Sequence, residues 1–114
     1  MAVYFLADSP EELLEAFDAA IDLREIKTWV RDQNGDYRHT SERWAGEMYF
    51  HTSLAESGVL GFQTVTMGRV TIDRKFYAYH VSRLVQTFLN NFPHLFTCVH
   101  VSSEAEDYDE GTII

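Results

Sequence analysis

Lys27-Thr-Trp-Val-Arg-Asp-Gln-Asn34-Gly35-Asp-Tyr-Arg-His-Thr40 is the stretch on which the fold turns. Asn34-Gly35 is the pair that a type I′ turn selects, because both central residues of that turn need positive φ. The flanks have strand character, so the segment reads as a β-hairpin with arms over residues 27–33 and 36–40. In that register Arg31 lies opposite Arg38, and the arms near the turn are polar on both faces, so the tip is expected to project into solvent.

Upstream of the hairpin the period is helical. Asp8-Ser-Pro-Glu-Glu12 supplies Ser9 as N-cap, Pro10 at the first helical position and Glu12 three residues after the cap, a capping box. The helix is expected from residue 10 to about residue 24, with Leu13, Leu14, Phe17, Ala20 and Ile21 on one side. Before it, residues 3–7 are apolar on both alternating faces, the pattern of a central strand covered on both sides.

Downstream the two-residue period continues to about residue 67, giving strands over 44–54 and 59–67, with Gly46, Gly61 and Gly68 as candidate bulges or sharp twists. Asp73 is the expected N-cap of a second helix reaching Asn91, in which Tyr77, Val81, Leu84, Val85, Phe88 and Phe92 share one stripe. Pro93 stops it. Residues 95–101 read as a last buried strand, and an acidic tail follows over 103–114, with Ile113 and Ile114 as its only docking residues.

The order β-α-β-β-β-β-α-β defines an α+β domain over 1–102: a mainly antiparallel sheet of five or six strands with both helices on one face. At the level of fold it resembles an elaborated ferredoxin-like sandwich. That architecture hosts many unrelated activities and implies none.

The 114 residues are 46% hydrophobic and 14% aromatic, enough for one core and too few for two domains. Eighteen Asp and Glu against nine Lys and Arg give a net charge of -9, which argues against direct nucleic-acid binding. No apolar run approaches the ~18 residues of a membrane span, and the first eight residues lack the basic region of a signal peptide. The single cysteine, Cys98, reads as a small buried hydrophobe in a reducing cytoplasm.

The charge is concentrated. Residues 8–25 hold seven acids against Arg24 alone, and residues 104–110 hold Glu104, Glu106, Asp107, Asp109 and Glu110, whereas residues 26–103 have six acids and eight bases. Glu11, Glu15, Asp18, Asp22 and Glu25 recur at steps of four and three, which places them along one line of the first helix, opposite its core face. A face shaped only for solubility usually intersperses Lys or Arg, because like charges at i,i+4 cost roughly 0.2–0.5 kcal/mol each. Asp22 and Glu25 also oppose the helix dipole. This stripe, extended by the tail acids, is the candidate footprint for a basic partner, and carboxylates about 5–6 Å apart approximate the charge spacing of a nucleic-acid strand.

Four of the five histidines open a His-x-Ser/Thr triplet: His39, His51, His80 and His100. Paired triplets on adjacent strands are the signature of two-histidine phosphoesterases, and His51 with His100 is the pair in the body of the expected sheet. No zinc spacing, EF-hand loop or nucleotide-binding glycine motif is present, so no metal or cofactor is expected. Phe76, Tyr79 and Arg83 lie off the core stripe of the second helix and form a candidate secondary interface. Arg31, Arg38, His39 and Arg43 around the hairpin are candidate anion ligands.

The sequence therefore points to a small acidic, non-enzymatic binding protein, an inhibitor of anti-defence or toxin-immunity type that docks on a basic, nucleic-acid-engaging protein surface. The alternatives are a phosphodiester-acting enzyme using the histidines, and a subunit of a larger assembly.

Overall fold

The structure, a computed structural model, describes residues 2–40, 48–66, 71–72, 74–103 and 112–113. In chain order the elements are β1 (Ala2–Leu6), α1 (Pro10–Asp22), β2 (Trp29–Arg31), β3 (Tyr37–His39), β4 (Met48–Ser53), β5 (Val59–Thr66), β6 (Thr71–Ile72), α2 (Arg74–Asn91), β7 (Cys98–Val101) and β8 (Thr112–Ile113). Six strands form one antiparallel sheet in the order β2-β3-β4-β5-β1-β7. Its β7-β1-β5-β4 portion, with α1 following β1 and α2 preceding β7, is the split βαββαβ arrangement of a ferredoxin-like sandwich, and the β2–β3 hairpin widens the sheet beyond β4. The class is α+β, as the order of elements implied. Two short strands add to it: β8 returns to pair in parallel with β6, and Ile113 sits beside Ile72.

Alternation assigns the faces. Val3 and Phe5 pair with Phe62 and Leu60, and Phe50 pairs with Thr64 and Tyr37, so these residues share one side. On that side lie Leu13, Phe17 and Ala20 of α1 and Tyr77, Val81, Leu84 and Phe88 of α2, all in one buried cluster. Phe88 bridges the layers, stacked on Phe5 at 4.2 Å and packed against Phe17 at 4.9 Å. The opposite face carries Tyr4, Tyr49, His51, Ser53, Gln63, Cys98 and His100, and among the described residues neither α1 nor α2 packs on it. Gly61 lies there within unbroken pairing to both neighbours, so it is not a bulge; the Tyr4 ring lies over it.

Both ends of α1 follow local chemistry. Ser9 Oγ accepts the Glu12 N–H and Pro10 occupies the first turn. The helix stops at Asp22, two residues earlier than expected, because Arg24 adopts φ 60°. The Glu25 N–H then donates to the Ala20 carbonyl and the Arg24 N–H to that of Ile21, a Schellman termination built without glycine.

The hairpin departs from its expected register. Gly35 has φ 80° but Asn34 does not take positive φ, so the turn is not type I′. Instead the Gly35 N–H donates to the Asp32 carbonyl, the Asp32 N–H donates to that of Asp36, and Asp32 Oδ1 accepts from the Asn34 and Asp36 N–H groups. This is a three-residue loop, a type I turn followed by a left-handed glycine. The one-residue change opposes Arg31 to Tyr37 rather than to Arg38, and pairs Val30 with Arg38. It also turns Tyr37 inward, 2% exposed, against Phe17, so only the loop itself projects.

Residues 98–101 form a strand, but not a buried one. Among the described residues strand β7 pairs only with β1, at the sheet edge, and Cys98 is exposed on the face opposite the helices with Sγ 3.9 Å from His100 Nε2. An apolar run reads alike for a central and an edge strand, which is why Cys98 was expected inside. Gly46, Gly68, Asp73, Arg43 and the first four residues of the expected 44–54 strand lie outside the described residues, as do all five tail acids.

Candidate functional site: the outer face of α1 and its surroundings

The acidic stripe divides into two halves. Glu11 and Glu15 are exposed on α1, and so is Glu12 beside them. Asp18 is instead a structural carboxylate: it accepts the Tyr37 hydroxyl and pairs with Arg31 at 2.9 Å. Burial first, and then the Asp18 carboxylate, push the Tyr37 phenol well above its ordinary pKa, so it remains a donor. Asp22 is exposed but lies 3.7 Å from the same Arg31, which offsets its conflict with the helix dipole. Glu25 lies beyond the left-handed Arg24 and leaves the helical line, although it too is exposed.

The contrast with α2 sharpens the picture. Helix α1 carries Glu11, Glu12, Glu15, Asp18 and Asp22 and no base, while α2 carries Arg74, Lys75 and Arg83 and no acid. Two helices on one face of the sheet therefore present opposite fields. On α2, Tyr79 and Arg83 come together as the sequence suggested: the guanidinium lies 4.7 Å from the ring centre, donates to the Tyr79 hydroxyl and reaches Gln86 at 3.1 Å. Phe76 is half-buried.

The hairpin arginines are committed to carboxylates. Arg31 holds Asp18 and Asp22; Arg38 holds Asp32 at 3.3 Å and lies over the Tyr49 ring. Burial raises the Asp32 pKa, but the Asp36 and Asn34 amides and Arg38 outweigh it and leave the carboxyl below its ordinary value.

The four triplet histidines do not converge. His51 and His100 share the face opposite the helices but lie on β4 and β7 with β5 and β1 between them. Three strand spacings separate them, about 14 Å, too far for joint action on one phosphodiester. His51 has an orienting carboxylate: its Nδ1 lies 2.6 Å from Asp36 Oδ1, with Asp36 buried and the imidazole more than half exposed. A carboxylate that fixes one ring nitrogen and leaves the other toward solvent is an arrangement able to move protons.

His39 lies on the helix-facing side, its ring 5.2 Å from Trp29. His80 is buried in α2, stacked flat on Phe50 at 4.4 Å, and neither ring nitrogen has a hydrogen-bond partner. Burial first, and then nearby His39, bring its pKa down to about 3. Sequence reasoning missed His80 as a core residue, although its i+4 step to Leu84 was a visible signal. Among the described residues no group of three or more His, Cys, Asp or Glu has the geometry to hold a metal ion. No helix among them is long and apolar enough to cross a membrane.

Comparison of the chain with protein-family models, with curated proteins and with solved structures finds no significant match.

Proposed function

We propose that this protein is a small binding protein that docks on a basic protein surface through the exposed carboxylates of α1, and that it acts by occupying a surface otherwise used to engage nucleic acid. The observation that carries the reading is the exposure of Glu11, Glu12 and Glu15 on a helix that has no base of its own. Nothing in the packing of α1 requires these three carboxylates, since its core contacts come from Leu13, Phe17 and Ala20. Asp22 and Glu25 extend the field toward the helix end, and the tail acids Glu104, Glu106, Asp107, Asp109 and Glu110 add to the same charge. Complementary fields of this kind raise association rates and set partner choice. Cytoplasmic residence and an inhibitor role of anti-defence or immunity type accord with this reading.

The test is the Glu11→Lys/Glu12→Lys/Glu15→Lys variant beside the wild type, each immobilised and exposed to the same lysate. The circular dichroism spectrum is expected to be unchanged, and the basic proteins retained by the wild type are expected to be lost. Equal retention by both forms removes α1 from the proposal.

A second reading rests on the Asp36–His51 pair. An imidazole so oriented supports acid-base work on a phosphodiester without His100. If so, His51→Ala abolishes turnover of a generic linear phosphodiester; a wild type with no turnover above buffer ends this reading.

A further inference from the structure

A cleft of about 430 Å³ opens between the chain leaving α1, the end of β3 and the C-terminal half of α2. Its charged and titratable side chains are Lys27, His39 and Arg83, with Glu25 as the one carboxylate among the described lining residues. In a chain of net charge -9, a cleft with two fixed cations against one carboxylate runs against the overall composition. Among the described residues neither Lys27 nor Arg83 forms an ion pair, in contrast to Arg31 and Arg38.

The cleft is also built. Arg83 is held in place by neutral partners, the Tyr79 ring and hydroxyl and the Gln86 side chain, so it is positioned without being neutralised. On the α2 side the Trp29 indole donates to Thr87 Oγ1 at 3.1 Å, Thr87 donates to the Arg83 carbonyl, and Asn91 Nδ2 donates to the Thr87 carbonyl. Ile26 is the sole apolar side chain among the described lining residues, and Asn90, Thr28 and Gln86 offer amides and a hydroxyl. The volume falls in the ~300–1,000 Å³ range of small-molecule sites, larger than one phosphate needs.

We propose that this cleft binds a small phosphorylated polar molecule of the sugar-phosphate class, with Lys27, His39 and Arg83 holding the phosphate and the amide side chains holding the hydroxylated body. A dianion satisfies the charges of Lys27 and Arg83, and the Thr28, Gln86 and Asn90 side chains offer donors and acceptors to a hydroxylated body. Binding is coupled to a proton. In the free protein burial, and then the Arg83 charge, lower the His39 pKa. Lys27, Glu25 and buried His80 are the other titratable groups around the cleft. A phosphate beside Arg83 reverses that repulsion and raises the His39 pKa.

The probe is ribose 5-phosphate, followed by amide and imidazole NMR, with free ribose and inorganic phosphate in parallel. Saturable shifts are expected at Lys27, Thr28, His39 and Asn90, with an upward move of the His39 titration. Arg83→Gln and Lys27→Gln are each expected to weaken binding about tenfold, the size of one charge-assisted contact. Both positions are exposed, and an unchanged spectrum elsewhere verifies the fold. Absence of saturable shifts, unaltered binding in both variants, or equal binding of ribose and its phosphate overturns the proposal. Inorganic phosphate binding as tightly as the ester overturns the sugar-phosphate assignment. None of these outcomes depends on the carboxylates of α1.

Discussion

At the scale of single residues, burial separates two kinds of polar side chain. Asp18 and Tyr37 satisfy each other across the α1–hairpin contact, while His80 is enclosed with both nitrogens unpaired. A folded-state pKa of about 3 lies below the ~6.5 of an unfolded histidine, so between those values the unfolded chain binds a proton that the native chain does not. Stability from this source is therefore complete above pH 6.5 and is lost as pH falls, by about 2 kcal/mol at pH 5. His80→Phe keeps a ring against Phe50 and removes the titration. Urea unfolding is expected to show the variant gaining on the wild type by that amount between pH 7 and pH 5; a constant difference across the two contradicts the assignment. The sequence reading took this histidine as part of a triplet, which says nothing about the side of the helix that faces the core; its i+4 step to Leu84 carried that signal.

At the scale of elements, the cap of α1, the apolar stripes of both helices and the order of elements along the chain were legible, since each rests on local chemistry or on period. The hairpin register was not. Asn34-Gly35 fits a type I′ turn, but the Asp32 carboxylate captures two backbone amides and stabilises the three-residue loop instead. That single shift decides that Tyr37 meets Asp18 and that Arg31 is drawn to α1. The end of α1 was also misplaced, because a Schellman termination normally announces itself by glycine and here uses Arg24. Gly35, by contrast, is required, for its φ of 80° disfavours any side chain although a Cβ there would meet nothing within 4 Å. Arg24→Gly is accordingly expected to stabilise, and Gly35→Ala to destabilise, each by about 1 kcal/mol. Opposite shifts of the urea midpoint verify the two assignments, and shifts of the same sign refute one of them.

At the scale of the whole molecule, the opposed fields of the two helices organise the account. The concentration of acid near the start of the chain was legible by counting. Its division into a structural half, tied to Arg31 and Tyr37, and an exposed half, Glu11, Glu12 and Glu15, was not, because it depends on contacts with a hairpin distant in sequence. The cleft was hidden for the same reason: Lys27, His39 and Arg83 come from the chain after α1, from β3 and from α2. The claim at the centre is that the exposed half recruits a basic partner electrostatically. Screening by salt is its direct signature, since exposed charge pairs weaken as the Debye length shortens. The measurement is capture of lysate proteins on the immobilised wild-type protein at low salt, followed by a stepwise rise in salt with mass spectrometry of each fraction. One basic nucleic-acid-engaging protein is expected, released as salt rises and missing from the Glu11→Lys/Glu12→Lys/Glu15→Lys column. A partner indifferent to salt, or one retained equally by that variant, contradicts the claim.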